Sequence, residues 1–228
     1  IDGRTMLDRH LTNFRTLGVT DVTVVVGWEH RALERALDGA TVPESMTLHT
    51  ALNPAFEGNL GLSVLVGADQ AMRSEAIDAP IPFWLTMSDH LYDPALFDRL
   101  AEVFAEQRPA DAEAMLAVDA EIDGIFDVPD ATKLRLDQDG HVEEIGKEVD
   151  GFNRADTGLF WCGRGFVDTL DELRRQRGDG FKTAAAVHAL DRRDRLWLWD
   201  VGDADWQDVD PPEARQHAEA HADRWRSA

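Results

Sequence analysis

The chain has 228 residues, which is enough for one α/β domain with a sizeable core. Its 23 basic and 44 acidic residues give a formal net charge of −21, which disfavours sequence-independent binding to nucleic acid or to an anionic membrane. The single cysteine, Cys162, excludes an internal disulfide and is typical of a buried strand thiol. No apolar run approaches the length of a membrane span, so we expect a soluble, cytoplasmic protein.

Strands and helices alternate in the first half of the chain. Apolar residues at helical spacing predict helices over residues 5–17, 29–37, 62–72 and 94–106. Buried apolar runs predict strands over residues 22–26, 46–52 and 82–89. This alternation indicates an α/β fold with a largely parallel sheet in a three-layer arrangement.

The pattern changes after residue 108 and becomes mixed. Strands are predicted over residues 114–118, 133–136, 141–145, 157–162 and 195–201, with a hairpin turn at 137–140. Helices are predicted over residues 166–175, 182–190 and 212–225. Because there is no repeat, low-complexity linker or strong boundary, we expect a single domain with a small mixed β subregion.

Asp89 ends the apolar run of residues 82–88, where the carboxyl end of a buried strand is expected. Ligands of parallel sheets bind just past such strand ends. Asp89 could instead cap the next helix, but Asp93 and Pro94 form a more natural helix start. Asp89 is therefore a candidate metal ligand or catalytic residue.

A second acidic pair, Asp208 and Asp210, directly precedes the last helix. Capping of that helix accounts well for Asp210 and less well for Asp208. Mg²⁺ in phosphate chemistry is commonly held by one or two protein carboxylates, so Asp89 and Asp208 could share one ion. Whether Asp208 or Asp210 is the second ligand stays open.

Two weaker signals concern phosphate and anion binding. The strand-to-helix segment of residues 53–63 contains Asn59 and Ser63, and its backbone amides could bind an anion, although a structural turn is as common. Lys133 and Lys147 lie on or near the predicted hairpin and could reach a phosphate. Residue type alone favours exposed, solvated lysines.

Three further segments follow one another between residues 131 and 160, namely residues 131–136 (ATKLRL), 142–147 (VEEIGK) and 155–160 (ADTGLF). Together with Ser88-Asp89-His90, Gly58-Asn59 followed by Ser63, and the Trp-x-Asp-Val-Asp segment at residues 206–210, they resemble the ordered motifs of the CTP:inositol-1-phosphate cytidylyltransferase family. The run from Ala131 to Phe160 is the most specific part of the resemblance, because several motifs occur there in order at compatible distances. Ser88 stands where the family has glycine, and the spacing from Asn59 to Ser63 differs slightly.

The resemblance implies a GT-A-like nucleotidyltransferase fold that transfers CMP from CTP to a phosphorylated polyol such as inositol 1-phosphate. It implies a nucleotide-side half over residues 1–108 and an acceptor-side half over residues 109–228. Phosphocholine, a phosphonate or a hexose 1-phosphate remain alternative acceptors, and a homodimer stays open. The roles that it implies are Mg²⁺ binding by Asp89 and Asp208, catalysis by Asp89 and Lys147, nucleotide binding by Asn59 and Ser63, and acceptor binding by Lys133, Asp156 and Thr157.

The start of the chain differs from the family pattern. The family begins with a strand and a glycine-rich loop that hold the triphosphate, whereas Ile1 and the residues after it resemble the segment that follows this loop. The sequence is then either a fragment, which its non-methionine start favours, or a protein without that loop. A nucleotide-binding regulatory subunit without turnover is the corresponding alternative function.

Overall fold

The computed structural model describes residues 1–57, 60–75 and 81–226. Its helices are α1 (Met6–Thr16), α2 (His30–Asp38), α3 (Leu60–Glu75), α4 (Ala95–Gln107), α5 (Arg164–Arg177), α6 (Thr183–Asp191) and α7 (Pro212–Ala220). Its strands are β1 (Asp21–Val26), β2 (Thr47–Leu52), β3 (Phe83–Thr86), β4 (His90–Tyr92), β5 (Ala114–Asp119), β6 (Lys133–Leu136), β7 (Val142–Gly146), β8 (Arg154–Cys162), β9 (Leu196–Asp200) and β10 (Trp206–Asp208).

Three sheets organise the described residues. A six-stranded sheet has the order β7-β6-β8-β5-β9, and β3 also pairs with β8. The strands β1 and β2 form a separate parallel pair, and β4 and β10 form an antiparallel pair. Because β3 and β8 come from different halves of the chain, the predicted halves share one sheet.

The strand directions differ in part from the expected parallel arrangement. The pair β5 and β9 is parallel, but β8 runs antiparallel to β3, β5 and β6. The strand β8 therefore runs in the opposite direction to the three strands that pair with it, β3, β5 and β6. The α/β class is confirmed, and the sheet is more strongly mixed than the sequence predicted.

The strand expected over residues 82–89 is shorter than predicted. Pairing with β8 ends at Thr86, and a turn containing Asp89 leads into β4. The residues of β3 are only partly buried, in contrast to the expected strand buried on both faces. Asp89 therefore lies in a tight connection between two strands.

Helices cover both faces of the six-stranded sheet. One hydrophobic cluster joins α1 and α4 to one face through Leu11, Phe97 and Met115. A second joins α3, α5 and α6 to the opposite face through Val64, Phe160 and Phe166. This is the three-layer arrangement that the sequence predicts.

None of the helices in the described ranges combines the length and the apolar character that crossing a membrane needs.

The hairpin of β6 and β7 is attached to α6 by a buried carboxylate. Asp191 accepts a hydrogen bond from the Val142 backbone N–H at 3.0 Å, and its second oxygen lies 3.5 Å from His141 Nδ1. A ring nitrogen of His188 lies 3.2 Å from the Glu143 carbonyl oxygen. The position of the hairpin therefore depends on contacts of Asp191, which include a titratable pair with His141.

We expect the stability contributed by His141 to depend on pH. The Asp191 carboxylate raises the pKa of His141 in the folded protein. The contribution is therefore complete below the unfolded pKa of about 6.5 and is lost as pH rises through the higher folded pKa. His141→Gln should lower the urea midpoint more at about pH 6 than at about pH 9. Equal losses at both pH values would contradict this assignment.

Candidate functional site

The antiparallel pair of β4 and β10 brings two distant segments together. Asp208 is directly opposite His90 in the ladder, and the Val209 backbone N–H donates to the Asp89 carbonyl oxygen at 3.0 Å. One ligand atom each of Asp89, His90 and Asp208 lies within 4.8 Å of the others, and all three residues are partly exposed. Backbone pairing therefore fixes the separation of the two carboxylates.

This cluster fits a divalent cation. Two oxygens bound to one Mg²⁺ at about 2.1 Å lie about 3–4 Å apart, which the observed cluster allows with little side-chain movement. Burial, together with the nearby Asp208 and Asp210 carboxylates, raises the pKa of Asp89, and His90 opposes this shift. Bringing these carboxylates together costs free energy that a bound cation would offset.

Asp210 lies beside the cluster without being part of it. Its backbone N–H donates to Asp208 Oδ1 at 2.8 Å, which orients the Asp208 carboxylate. Asp208 is a member of the group of ligand atoms within 4.8 Å, and Asp210 is not. The geometry therefore favours Asp208 over Asp210 as the second ligand.

Asp119 and Trp206 support the cluster from inside the protein. Trp206 Nε1 donates to Asp119 Oδ2 at 2.8 Å, and the backbone N–H of Glu121 donates to Asp119 Oδ1 at 2.7 Å. The Trp206 ring lies against the His90 ring, with 5.7 Å between centroids and 26° between planes. Asp119 thus fixes the residue that packs against His90.

Replacing Asp119 by asparagine should destabilise the protein by about 1–3 kcal/mol. An asparagine side chain has one carbonyl oxygen, so it cannot accept from both Trp206 and the Glu121 backbone with two separate oxygens. Urea unfolding of Asp119→Asn, with Asp203→Asn at an exposed position as the charge-matched control, measures this loss. Equal midpoints for the two variants would show that the buried hydrogen bonds contribute nothing measurable.

Lys147 lies next to an open acidic cavity. Its Nζ pairs with Asp130 Oδ1 at 2.5 Å, and the lysine side chain is 58% exposed. The hydrogen bond to Asp130, followed by the charges of Asp130, Asp208 and Asp210, raises the pKa of Lys147. The cavity has a volume of about 670 Å³ and is lined by Asp127, Pro129, Asp130, Asp210 and Pro211. The structure therefore pairs a cationic, exposed lysine with a residue that lines this cavity.

Lys133 is placed differently from the prediction. It is buried, and its Nζ donates to the carbonyl oxygens of Pro129, Ala131 and Lys147 at 2.8–3.1 Å. An ammonium group has three N–H donors, so these contacts leave none for a phosphate. Through these hydrogen bonds Lys133 connects the segment before β6 to the residue that follows β7. It is not available to the acceptor.

Asp156 and Thr157 lie where the pairing of β8 with β5 changes register. The Thr157 hydroxyl is buried and donates to the Ala117 carbonyl oxygen at 2.9 Å, so it does not face a pocket. The Thr157 carbonyl oxygen instead accepts from Tyr92 Oη. Burial raises the pKa of Asp156 to about 6, while the Gly158 N–H donates to Asp156 Oδ1 at 2.8 Å. As a whole residue Asp156 is partly exposed, whereas Thr157 is buried.

The predicted nucleotide-binding segment is described in part. Asn59, with Gly58, lies outside the described residues. The Ser63 hydroxyl accepts a hydrogen bond from Asn53 Nδ2 at 3.0 Å, near the start of α3. Asn53 Oδ1 also accepts from the Ala55 N–H at 3.0 Å. Ser63 thus joins the loop after β2 to the start of α3.

Several residues of the site were not singled out from the sequence. The sequence identifies His90 and Trp206 only as members of motifs, and it indicates no role for Asp119 or Asp130. Asp119 carries a usable signal, because it follows the apolar run of β5 as Asp89 follows that of β3. The role of Asp130 has no such signal, since it depends on where Lys147 lies.

The fold is that of the nucleotidyltransferases. This chain superposes on the solved structure of the inositol-1-phosphate CTP transferase from T. maritima with a TM-score of 0.73 at 20% sequence identity. The superposition covers 98% of this chain and 84% of the solved chain. Over 97% of this chain and 87% of the other, the chain superposes on a UDP-glucose pyrophosphorylase complexed with UDP-glucose with a TM-score of 0.71 at 13% identity. The nucleotidyltransferase fold predicted from the motifs is confirmed.

The sequence itself is similar to that of a bifunctional IPC transferase and DIPP synthase from Rubrobacter xylanophilus. The two are 28% identical over 239 residues, which cover 100% of this chain and 48% of the relative. The chain therefore spans about half the length of this curated relative. The match confirms the family resemblance that the motifs predicted. No protein-family model matches the chain.

Proposed function

We propose that the protein is a Mg²⁺-dependent cytidylyltransferase that transfers CMP from CTP to inositol 1-phosphate and releases pyrophosphate. The observation that carries this proposal is the cluster of Asp89, His90 and Asp208 within a nucleotidyltransferase fold. Similarity to the bifunctional transferase from Rubrobacter xylanophilus supports the transferase class. Similarity to the inositol-1-phosphate CTP transferase from T. maritima supports CTP and inositol 1-phosphate as substrates.

Asp89 and Asp208 hold the cation in this proposal. When bound, the cation supplies charge neutralisation at the nucleotide phosphates. Asp89 and Asp208 come from adjacent backbone segments and need little rearrangement to bind it. The Asp210 N–H and the Trp206 ring keep Asp208 and His90 oriented.

Lys147 binds the phosphate of the acceptor. Its ammonium group is exposed and cationic, and its partner Asp130 lies on the wall of the adjacent cavity. A phosphate that enters this cavity replaces Asp130 as the partner of Lys147. Asp156 completes the acceptor side in this proposal, and its carboxyl group accepts a hydrogen bond from a polyol hydroxyl.

The reaction needs no covalent enzyme intermediate. An oxygen of the acceptor phosphate attacks the α-phosphorus of CTP, one P–O bond forms, and the bond to pyrophosphate breaks. The residues of the chain contribute by orienting the two substrates and by neutralising negative charge, as in other phosphoryl transfers. Lys147 neutralises charge on the attacking phosphate in this scheme.

The test is pyrophosphate release across a matrix of nucleotides and acceptors. The nucleotides are CTP, UTP, dTTP and ATP, and the acceptors are inositol 1-phosphate, glucose 1-phosphate, phosphocholine and a phosphonate. The expected result is release with CTP and inositol 1-phosphate that depends on added Mg²⁺. Faster release with glucose 1-phosphate would replace the proposed acceptor, an outcome that the likeness to UDP-glucose pyrophosphorylase makes worth testing.

The non-catalytic alternative has a distinct signature in calorimetry. Binding of CTP with Mg²⁺, without pyrophosphate release for any acceptor, would favour a nucleotide-binding regulatory subunit. Lys147→Gln provides a second check, because it removes the charge and keeps a polar side chain of similar length. In a cytidylyltransferase this variant should raise the KM for inositol 1-phosphate and leave CTP binding within about threefold of the wild type.

A further inference from the structure

The hydrogen bond of His90 decides which of its ring nitrogens is free. His90 Nδ1 lies 2.8 Å from the Thr157 carbonyl oxygen. A carbonyl oxygen can only accept, so Nδ1 carries the proton and donates it. In a neutral imidazole the lone pair is then on Nε2. This is the arrangement found in metal-binding histidines, whose second ring nitrogen donates to a carbonyl or carboxylate.

Three neighbours hold the His90 ring in this orientation. The Trp206 ring packs against one side of it, and the Thr157 carbonyl oxygen fixes Nδ1. On another side lies Gly158, where a Cβ atom would come within 2.7 Å of His90 Nδ1. The ring therefore has little room to turn, and Nε2 lies 3.9 Å from Asp89 Oδ1.

We propose that His90 Nε2 is a direct ligand of the cation held by Asp89 and Asp208, and that the site consequently binds Mn²⁺ and Co²⁺ more tightly than Mg²⁺. A separation of 3.9 Å between Nε2 and Asp89 Oδ1 suits two ligands of one ion, since ligands at about 2.1 Å lie about 3–4 Å apart. Imidazole nitrogen is a poor ligand for Mg²⁺ and a better one for divalent transition metals, among which Mn²⁺ binds most weakly and Co²⁺ more tightly. The inference rests on the proposed function only for the use of Asp89 and Asp208 as ligands.

The competing interpretation makes His90 a protonated partner of Asp89. In that case both ring nitrogens donate, and no lone pair faces the cluster. The two interpretations differ in the atoms that surround a bound ion. A nitrogen ligand is present in the first and absent in the second.

Two replacements of His90 separate these interpretations. In His90→Asn the amide nitrogen takes the place of Nδ1, so the hydrogen bond to the Thr157 carbonyl oxygen is kept while the ligand at Nε2 is lost. In His90→Gln the longer side chain places an amide group near the position of Nε2, which offers an oxygen in place of nitrogen. Together, the two variants test whether a nitrogen at the position of Nε2 binds the ion, and both keep a polar side chain at residue 90.

The experiment is Mn²⁺ binding at neutral pH without nucleotide, followed by pulsed electron paramagnetic resonance of the bound ion. The wild type should show coupling to a ¹⁴N nucleus and should bind Mn²⁺ at least about tenfold more tightly than Mg²⁺. His90→Asn should lose the coupling and about tenfold or more of the Mn²⁺ affinity. His90→Gln should lose the coupling and narrow the preference for Mn²⁺ over Mg²⁺.

The outcome separates the inference from the proposed function. Absence of ¹⁴N coupling in the wild type, or equal Mn²⁺ affinities of the wild type and His90→Asn, would overturn the inference. Pyrophosphate release with Mg²⁺ in that situation would leave the proposed function intact. Conversely, ¹⁴N coupling in a protein that releases no pyrophosphate with any acceptor would support the ligand assignment and reject the function.

Discussion

Replacing Asp89 by asparagine should lower kcat/KM for pyrophosphate release by about a thousandfold or more. A cation held by Asp89 and Asp208 would neutralise charge that develops on the phosphates, an effect worth several kcal/mol, and each 1.4 kcal/mol changes the rate about tenfold. Asparagine keeps the shape of the side chain and removes its charge. The same variant should weaken Mn²⁺ binding at least about tenfold, which calorimetry measures without any substrate.

The stability of this variant should change in the opposite direction from its activity. In the absence of metal, Asp89→Asn removes a partly buried charge that lies near Asp208 and Asp210, so the metal-free protein should unfold at the same or a higher temperature. Asp168→Asn is the charge-matched control, because Asp168 is an exposed residue of α5 that pairs with Arg164. A fully active Asp89→Asn protein would remove Asp89 from the proposed mechanism.

Replacing Gly158 by alanine should destabilise the protein by about 2–4 kcal/mol and weaken Mn²⁺ binding about tenfold or more, as loss of the proposed His90 ligand does. Gly158 has a φ of +75°, which a residue with a Cβ atom adopts only at a cost. A Cβ atom there would also meet His90 Nδ1 at 2.7 Å and Met87 Cγ at 2.9 Å. The His90 ring would have to move away from the Thr157 carbonyl oxygen.

Gly140→Ala is a matched control for this substitution. Gly140 lies in the turn between β6 and β7 with a φ of +90°, but nothing lies within 4 Å of a Cβ atom placed there. It should therefore show only the backbone cost, about 1 kcal/mol, and bind metal normally. Thermal unfolding should place Gly158→Ala about 5–15 °C below the wild type. If the two variants behave alike, the contact with His90 has no energetic importance.

The sequence predicts that Asp89 follows a strand because an apolar run ending in a carboxylate is a local pattern, but it does not predict that the strand ends at Thr86 and is only partly buried. The existence of most helices and strands follows from patterns of the same kind. The pairing of β4 with β10 is not local, since it joins residues more than a hundred positions apart. The sequence alone therefore does not predict that Asp89 and Asp208 lie close together, because their proximity depends on the pairing of β4 with β10.

The two lysines show why residue type alone does not assign a role. Lys133 and Lys147 both lie on or near the predicted hairpin, and the sequence predicts that either could reach a phosphate, with catalysis expected of Lys147 and acceptor binding of Lys133. In the fold, Lys133 Nζ is enclosed by three carbonyl oxygens, whereas Lys147 remains exposed beside Asp130. Which of the two is enclosed depends on the loop before β6 and on its packing against the end of β7, and neither leaves a spacing pattern in the sequence.

The division of the strands into separate sheets has a consequence for how the molecule opens. No strand pairing within the described residues joins β1 and β2 to the six-stranded sheet, so α1, α3 and side-chain packing connect these parts. Such a unit can open at a lower free energy than the whole domain. In native-state hydrogen exchange, the amides of β1 and β2 should exchange together and earlier than those of β5 and β8. If the β1–β2 unit opens, the packing of α1 and α3 against it is also lost. Because α1 contacts β4, which carries His90, the candidate site and the β1–β2 unit are coupled through this helix and not through a common sheet.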